Sequence, residues 1–359
     1  MRARLRDLRT WFLVLSLIIL VAGGAYAPLP YFVESPGRLL TLGGCVNVDS
    51  EEAVPVRGDY LLTTVSLRRA TPFSLARVAV DRSARLRPDD RVVRSDRTDQ
   101  DHFAGQRRVF AQSAQRAAAL GLRQAGFTAD PERFIGDGAL VTGVLEDSPA
   151  EGVLRGGDVI IAMDGIPVAT DAEVRAFIDE AEPVVVRFTR GGEAHEVRLT
   201  PYELPSEGEE RVMLGLHLET LNSRVDLPVP VNVTSGRIGG PSAGLMIALA
   251  VYDQSDALVD LAAGRRIAGT GTLTGQGAVG RIGGIDLKAM AAHKRGADVF
   301  LAPESQADMA RAGLPEDAEL EIVPIATFEG AVRYLAESAN PDMVGRFLGP
   351  MECPVRPAA

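Results

Sequence analysis

Lysine is scarce in this chain. Lys288 and Lys294 are its only two, against thirty-six arginines, and both lie within Gly283-Gly284-Ile285-Asp286-Leu287-Lys288-Ala289-Met290-Ala291-Ala292-His293-Lys294. Arginine stays protonated in proteins and cannot serve as a general base, whereas lysine can once a dry site lowers its pKa. The neighbours of Lys288 are apolar, which disfavours an ammonium there; Lys294 sits beside His293 and Arg295 and reads as an exposed charge at a helix end. A second chemical candidate is Ser242, in Gly239-Gly240-Pro241-Ser242-Ala243-Gly244-Leu245-Met246-Ile247-Ala248. The small residues Gly240, Pro241 and Ala243 let a substrate backbone approach closely, and the helix expected to start at the serine would present free N–H groups to a developing oxyanion. Neutral lysine plus serine is the inventory for acyl transfer through a covalent intermediate. The bland alternatives are a helix N-cap for Ser242 and compositional bias for the lysines.

These residues need elements to hold them. Strand-like segments are expected at 212–218, 229–233, 267–273, 299–302 and 320–324. Helices are expected at 242–252, 286–295, 306–312 and 328–336, so that the region 211–340 reads as an α+β domain. Upstream, 31–125 reads as extended pieces followed by a helix over 103–125 that stops at Gly126. Between them, 126–203 is β-rich, with a tight turn at Asp164-Gly165, an amphipathic helix capped by Thr170, and a hairpin around Gly191-Gly192.

The N-terminus sets an expected compartment. Arg2, Arg4, Arg6 and Arg9 precede an uncharged run from Trp11 to Ala27, which predicts a single-pass membrane anchor over 11–30 with residues 1–10 cytoplasmic. Everything beyond would then lie outside the cytoplasm, the catalytic domain included. Ala25-Tyr26-Ala27 could alternatively be a signal-peptide cleavage site, although Pro28 would follow it directly. The net charge of −10 argues against a nucleic-acid partner. Two cysteines, Cys45 and Cys353, lie outside any metal-ligand spacing and could pair only in an oxidising compartment. No cofactor or metal is expected, and 341–359 reads as a tail.

Two resemblances follow from these motifs. Ser148-Pro149-Ala150, Gly157-Asp158-Val159-Ile160 and Asp164-Gly165-Ile166-Pro167-Val168 resemble a PDZ domain, which implies docking of extended peptides by strand addition. The nearest carboxylate-cradling loop is Phe134-Ile135-Gly136-Asp137-Gly138, where Asp137 would repel a free C-terminus. Gly240-Pro241-Ser242-Ala243-Gly244, then Thr270-Gly271-Thr272-Leu273-Thr274, then Gly283-Gly284-Ile285-Asp286-Leu287-Lys288, resemble the proteolytic domain of Lon peptidases. That resemblance implies Ser242 as nucleophile, Lys288 as general base and Thr270 as the hydroxyl that holds the lysine. The layout of anchor, PDZ module and Lon-type domain is similar to bacterial membrane-anchored PDZ–Lon proteins. The sequence has no Gly-x4-Gly-Lys-Ser/Thr loop, so the resemblance implies ATP-independent hydrolysis of protein or peptide substrates, extracytoplasmic or membrane-proximal, by a possible homo-oligomer.

Three rival readings remain. A catalytically inactive PDZ scaffold is one. Gly240-x-Ser242-x-Gly244 also satisfies the α/β-hydrolase elbow, whose later histidine could only be His293. Gly275-Gln276-Gly277-Ala278-Val279-Gly280 satisfies a lone dinucleotide-binding pattern, with Asp298 as its acidic partner, or a plain turn.

Overall fold

In a computed structural model, residues 11, 12, 15 and 27–339 are described, apart from 52, 82, 94–98, 179–181, 207–208, 235, 237, 257 and 259. The chain opens with strands β1 (Tyr31–Thr41) and β2 (Asp59–Arg69), helix α1 (Pro72–Val80), strand β3 (Arg85–Pro88) and helix α2 (Asp99–Gln124). Next come β4 (Ala139–Val144), β5 (Val159–Met163), α3 (Asp171–Ala176), β6 (Val184–Arg190), β7 (Glu193–Leu199) and β8 (Leu216–Thr220). The last stretch contains α4 (Gly244–Ser255), β9 (Arg266–Gly269), α5 (Ile285–Lys294), β10 (Val299–Pro303), α6 (Ala307–Ala312), β11 (Glu321–Ile325) and α7 (Phe328–Glu337). Short two-stranded pairs complete the topology, among them Val46–Val48 with Val231–Val233.

Two compact units result. One is Asp130–Asp226; the other joins everything before Ala129 to everything after Leu227. The expected divide between a 31–125 segment and a 211–340 domain is therefore absent from the fold. One six-stranded sheet, in the order β11-β10-β9-β2-β1-β3, draws strands from both segments. β2, β9, β10 and β11 run parallel, while β1 and β3 are antiparallel additions. Parallel strands covered on both faces should be continuously apolar, and β10 is buried at every position.

Alternation along β2 sorts the two faces. Leu61 joins Ala268, Phe300, Ile285 and Ala289 in the cluster beneath α5. Tyr60 points to the other face, where its hydroxyl donates to Asp253 of α4 at 2.8 Å. Every residue of α4 is buried, as befits a helix that is apolar all round. It packs chiefly against α2, so the long amphipathic helix read from the sequence closes the layer over the catalytic region instead of belonging to a separate domain.

The second unit is a six-stranded sheet: five strands run in the order β7-β6-β5-β4-β8, the short strand Ile166–Pro167 pairs with β5, and α3 lies against the sheet. Its core contains Val141, Ile160, Met163, Val174, Val186, Phe188 and Leu214. Thr170 caps α3 with a full capping box to Glu173. The strand-like run 212–218 splits, and β8 pairs antiparallel with β4, so Leu214 to Thr220 serve this unit rather than the following one.

The expected N-terminal transmembrane helix is corrected. Among the described residues no helix is long and apolar enough to cross a membrane. The longest, α2, carries charges along its length; α4 is apolar but has 12 residues, roughly 18 Å against a hydrocarbon core of about 30 Å. The single-pass membrane placement, with its cytoplasmic N-terminus and extracytoplasmic catalytic domain, loses its support with that helix. Of the expected anchor, 13–14 and 16–26 lie outside the described residues, as do 1–10 and the expected tail from 340 onward. Cys45 is disulfide-bonded, and Cys353 lies outside the described residues.

Asp253 supplies a pH test of this core. Its carboxylate accepts from Tyr60 Oη and from the amides of Leu261 and Ala262 at 3.2 and 3.3 Å. Burial nonetheless raises its pKa from 3.8 to about 6. A folded pKa above the unfolded one means that its contribution is fully present at about pH 4 and is lost as pH rises toward 6. Thermal melts of wild type and Asp253→Asn between pH 4 and 7 should show their difference moving against wild type up to about pH 6, by at most ~1.4 kcal/mol per pH unit, and then levelling.

Candidate active site

The carboxyl end of β9 is where the chemistry gathers, in keeping with the general placement of sites at the carboxyl ends of parallel strands. Thr270 follows β9 directly and is fully buried. Its backbone N–H donates to Leu301 O at 3.0 Å, which continues the β9–β10 ladder one residue further. The Gly271 amide then donates to Ser242 O at 2.9 Å, and the Leu245 amide returns a bond to Gly271 O at 3.2 Å. This reciprocal pair ties the strand exit on one side to the start of α4 on the other, with Ser242 in between.

Lys288 arrives from the opposite sheet face on α5. That helix begins at Gly284, whose φ of +67° is left-handed, and a Cβ there would stand 2.8 Å from Val65 Cγ2. Glycine is the residue that tolerates both demands. One turn later, Lys288 N donates to Gly284 O at 3.0 Å. A charged network fixes this helix start to β1 and β3. Arg85 bonds Glu34 and Asp286, each at 2.7 Å, and Glu34 is only 3% exposed.

The three polar groups meet in one cluster. Lys288 Nζ lies 2.7 Å from Ser242 Oγ and donates to Thr270 Oγ1 at 2.9 Å. Thr270 Oγ1 in turn donates to Ser242 O at 3.0 Å. The threonine proton is thus committed to a carbonyl, and its lone pairs face the amine, which aims Nζ at the serine. Lys288 is 4% exposed, and burial pulls its pKa from 10.5 to about 7. Lys294, by contrast, is exposed at the end of α5. Near neutrality, then, an amine lone pair is within reach of a serine proton.

The approach to Ser242 is shaped by α2. Gly240, with φ of +83°, donates its amide to Gln106 O at 2.8 Å, and Ser113 Oγ donates to Pro241 O at 3.1 Å. Gly240 is committed and Pro241 has no N–H, whereas the amides of Ser242 and Ala243 have no acceptor among the described residues. Those two are the N–H groups placed to receive an oxyanion at the helix start. Sequence reading did not find Gln106, Ser113, Glu34 or Arg85, because no motif links them to a serine 128 or more positions away. The glycine run 275–280 joins the antiparallel pair Thr272–Leu273 and Val279–Gly280, so it forms a hairpin turn instead of a phosphate loop opening a helix.

In the other unit, the loop expected to cradle a carboxylate is otherwise engaged. Asp137 accepts from Asn222 and Arg224, which hold its carboxyl below the usual range. The strand after it, β4, has β5 on one side and β8 on the other. β8 has no strand on its outer edge among the described residues, and α3 is bound to its end through Asp171 N donating to Thr220 Oγ1 at 3.1 Å. Leu214-Gly215-Leu216, a glycine between two leucines, leads into β8 and is a second candidate for the carboxylate-cradling loop placed at Phe134–Gly138 from the sequence. Placing the domain boundary before it concealed that signal.

The cluster sets a buried lysine amine against a serine hydroxyl. Residues 217–336 match the family model of the Lon protease (S16) C-terminal proteolytic domain. A Lon protease of Methanosarcina barkeri is 35% identical over 115 residues, 31% of this chain and 14% of that protein. A probable periplasmic serine endoprotease DegP-like of Ectopseudomonas mendocina is 35% identical over 82 residues, 22% of this chain and 17% of that one. The chain spans less than a fifth of either relative. Among solved structures, the PDZ domain of an SdrC-like protein from Listeria monocytogenes is 25% identical over 23% of this chain and 87% of its own length, with a TM-score of 0.21.

Two lysines in the whole chain make the amine directly observable. With lysine labelled selectively for NMR, one of the two signals should titrate near pH 7. That signal should vanish in Lys288→Arg and shift its midpoint in Thr270→Val. A Lys288 signal unmoved between pH 6 and 8 would contradict the burial argument.

Proposed function

We propose that this chain is a serine endopeptidase that cleaves protein or peptide substrates without ATP, with Ser242 as nucleophile and Lys288 as general base. The observation that carries this reading is the 2.7 Å approach of Lys288 Nζ to Ser242 Oγ inside a site dry enough to bring the amine to about pKa 7. A base is most useful when its pKa lies near the working pH. The match of residues 217–336 to a Lon proteolytic domain supports it, and the lack of a phosphate-binding loop in the sequence supports independence from nucleotide.

The steps balance without a metal or cofactor. The neutral amine takes the Ser242 proton as Oγ bonds to the scissile carbonyl carbon. The oxyanion that forms accepts from the amides of Ser242 and Ala243. Lys288, now an ammonium, returns its proton to the leaving amine as the C–N bond breaks, leaving an ester on Ser242. Water, deprotonated by the same lysine, then attacks the ester carbonyl, and Lys288 returns that proton to Ser242 Oγ as the acyl C–O bond breaks, releasing a carboxylic acid and restoring the free serine and the neutral amine. Thr270 acts as a positioning residue through its bond to Nζ. The Asp130–Asp226 unit would dock partners or substrates along the free edge of β8, whose backbone groups can pair with an extended peptide.

Peptide cleavage by wild type, Ser242→Ala and Lys288→Arg tests the dyad. Both variants should lose at least ~100-fold in kcat/KM; Ser242→Ala should retain the wild-type melting temperature to within a few degrees, while Lys288→Arg, which forces a charge into the dry site, should melt lower yet remain folded by circular dichroism at the assay temperature. The wild-type rate should climb as pH rises through about 7, the direction in which Lys288 loses its proton. Substantial activity in Lys288→Arg would sink the mechanism. A folded wild type that cleaves no peptide would leave the inactive scaffold as the better reading.

A further inference from the structure

The wall of the cleft beside the serine carries charge that the dyad does not use. The cleft measures about 1200 Å³ and is bounded by β1, β2, α1 and the loop before Ser242. Four arginines line it: Arg38, Arg68, Arg69 and Arg87. Two are already matched to carboxylates. Arg69 forks onto Asp99 at 2.7 and 2.8 Å and lies 3.5 Å from Asp89. Arg87 stands 3.6 Å from Glu34, which Arg85 also holds. Of the cleft's carboxylates, Glu34 is taken up in this way, and Asp81 accepts from the amide and hydroxyl of Ser83. Arg38 and Arg68 are exposed and have no carboxylate partner among the described residues.

Arg68 is placed by strand register, and Arg38 by the irregularity in β1 between Pro36 and Leu39. The Arg38 carbonyl accepts from Thr64 Oγ1 at 2.8 Å, and Arg68 faces Val33 four residues further along β2 than Thr64. Four residues of strand span about 13 Å. The Arg38 end is the catalytic end. Thr63 donates its hydroxyl to Gly269 O at 3.1 Å, one residue before the threonine that holds Lys288. Two unpaired arginines are therefore anchored along the wall at backbone points about as far apart as residues four apart in an extended peptide. A guanidinium pairs best with a carboxylate, through a two-pronged hydrogen bond.

We propose that the cleft takes extended segments bearing acidic side chains, with Arg38 binding a carboxylate near the scissile bond and Arg68 binding one about four residues away. This deepens the peptidase reading above and rests on it for the identity of the bound chain as substrate. The test uses the full chain carrying Ser242→Ala and fluorescence anisotropy with three length-matched peptides. They carry two glutamates, two glutamines or two lysines spaced four residues apart.

The glutamate peptide should bind about tenfold more tightly than the glutamine peptide, and the lysine peptide more weakly than either. The advantage should fall steeply in 0.5 M salt, where screening shortens to a few ångströms. Arg38→Glu with Arg68→Glu should reverse the order, so that the lysine peptide binds best, a gain that misfolding could not produce. Equal binding of the three peptides, or an order unchanged by the double substitution, would overturn the proposal. Cleavage by the wild type separates the two readings. Turnover of the glutamine peptide without acidic preference removes the specificity and leaves the peptidase; acidic binding with no turnover of any peptide removes the peptidase and leaves the surface.

Discussion

Burying one amine against one hydroxyl is the demand that the rest of the catalytic unit serves. A lysine withdrawn from water loses the solvation of its charge, and near neutrality it recovers stability by shedding the proton. That makes Lys288 useful to Ser242 only if nothing else restores the charge. The described surroundings meet the condition: apolar neighbours beneath α5, a threonine hydroxyl and a serine hydroxyl at hydrogen-bond distance, and no carboxylate bonded to Nζ. The nearby carboxylates on α5 and β1, Asp286 and Glu34, are tied to Arg85 instead. Arg85 thus secures the helix start and keeps two anions occupied.

Meeting that demand requires elements from distant parts of the chain. Ser242 lies on the α4 side of the sheet and Lys288 on the α5 side, and the two can touch only where β9 ends and leaves a gap between the layers. The bonds among Ser242, Thr270 and Gly271 hold that gap at a fixed width. The helix α2 supports the same loop from outside through Gln106 and Ser113. Strands β1 and β2 supply both the wall of the cleft and the anchorage for Arg85. A segment that looks dispensable in sequence, 31–125, therefore completes the site. The Asp130–Asp226 unit is inserted between the two halves, with its own core closed by β8.

Local chemistry made much of this legible in the amino-acid sequence. Helices over 103–125, 242–252, 286–295, 306–312 and 328–336 were readable because apolar periodicity and caps are local signals, and each lies within a few residues of its observed counterpart. Ser242 and Lys288 stood out by residue type and setting, Thr270 through the Lon resemblance, and the structure brings the three side chains together. The uncharged run after Trp11 was read as a span on the same kind of local signal, and the described residues contain no helix to match it. The boundary at 203–211 failed for a related reason. A strand-like run carries no mark of its partner, and β8 pairs back to β4 across some seventy residues.

The sequence by itself determined which residues could do chemistry: a lone buried-type lysine, a serine opening an apolar helix, and a threonine between them. Tertiary structure decided the rest. It showed which backbone amides stay free for an oxyanion, since Gly240 is taken by Gln106 and the amides of Ser242 and Ala243 are not. It also showed which arginines are spent and which remain. Thirty-six arginines are indistinguishable in composition, and only tertiary pairing with carboxylates separates Arg69 and Arg87 from Arg38 and Arg68. The physical reason is the same in each case. Residue type sets what a group can donate, accept or titrate, while its free or committed state depends on neighbours that the chain brings in from distant positions.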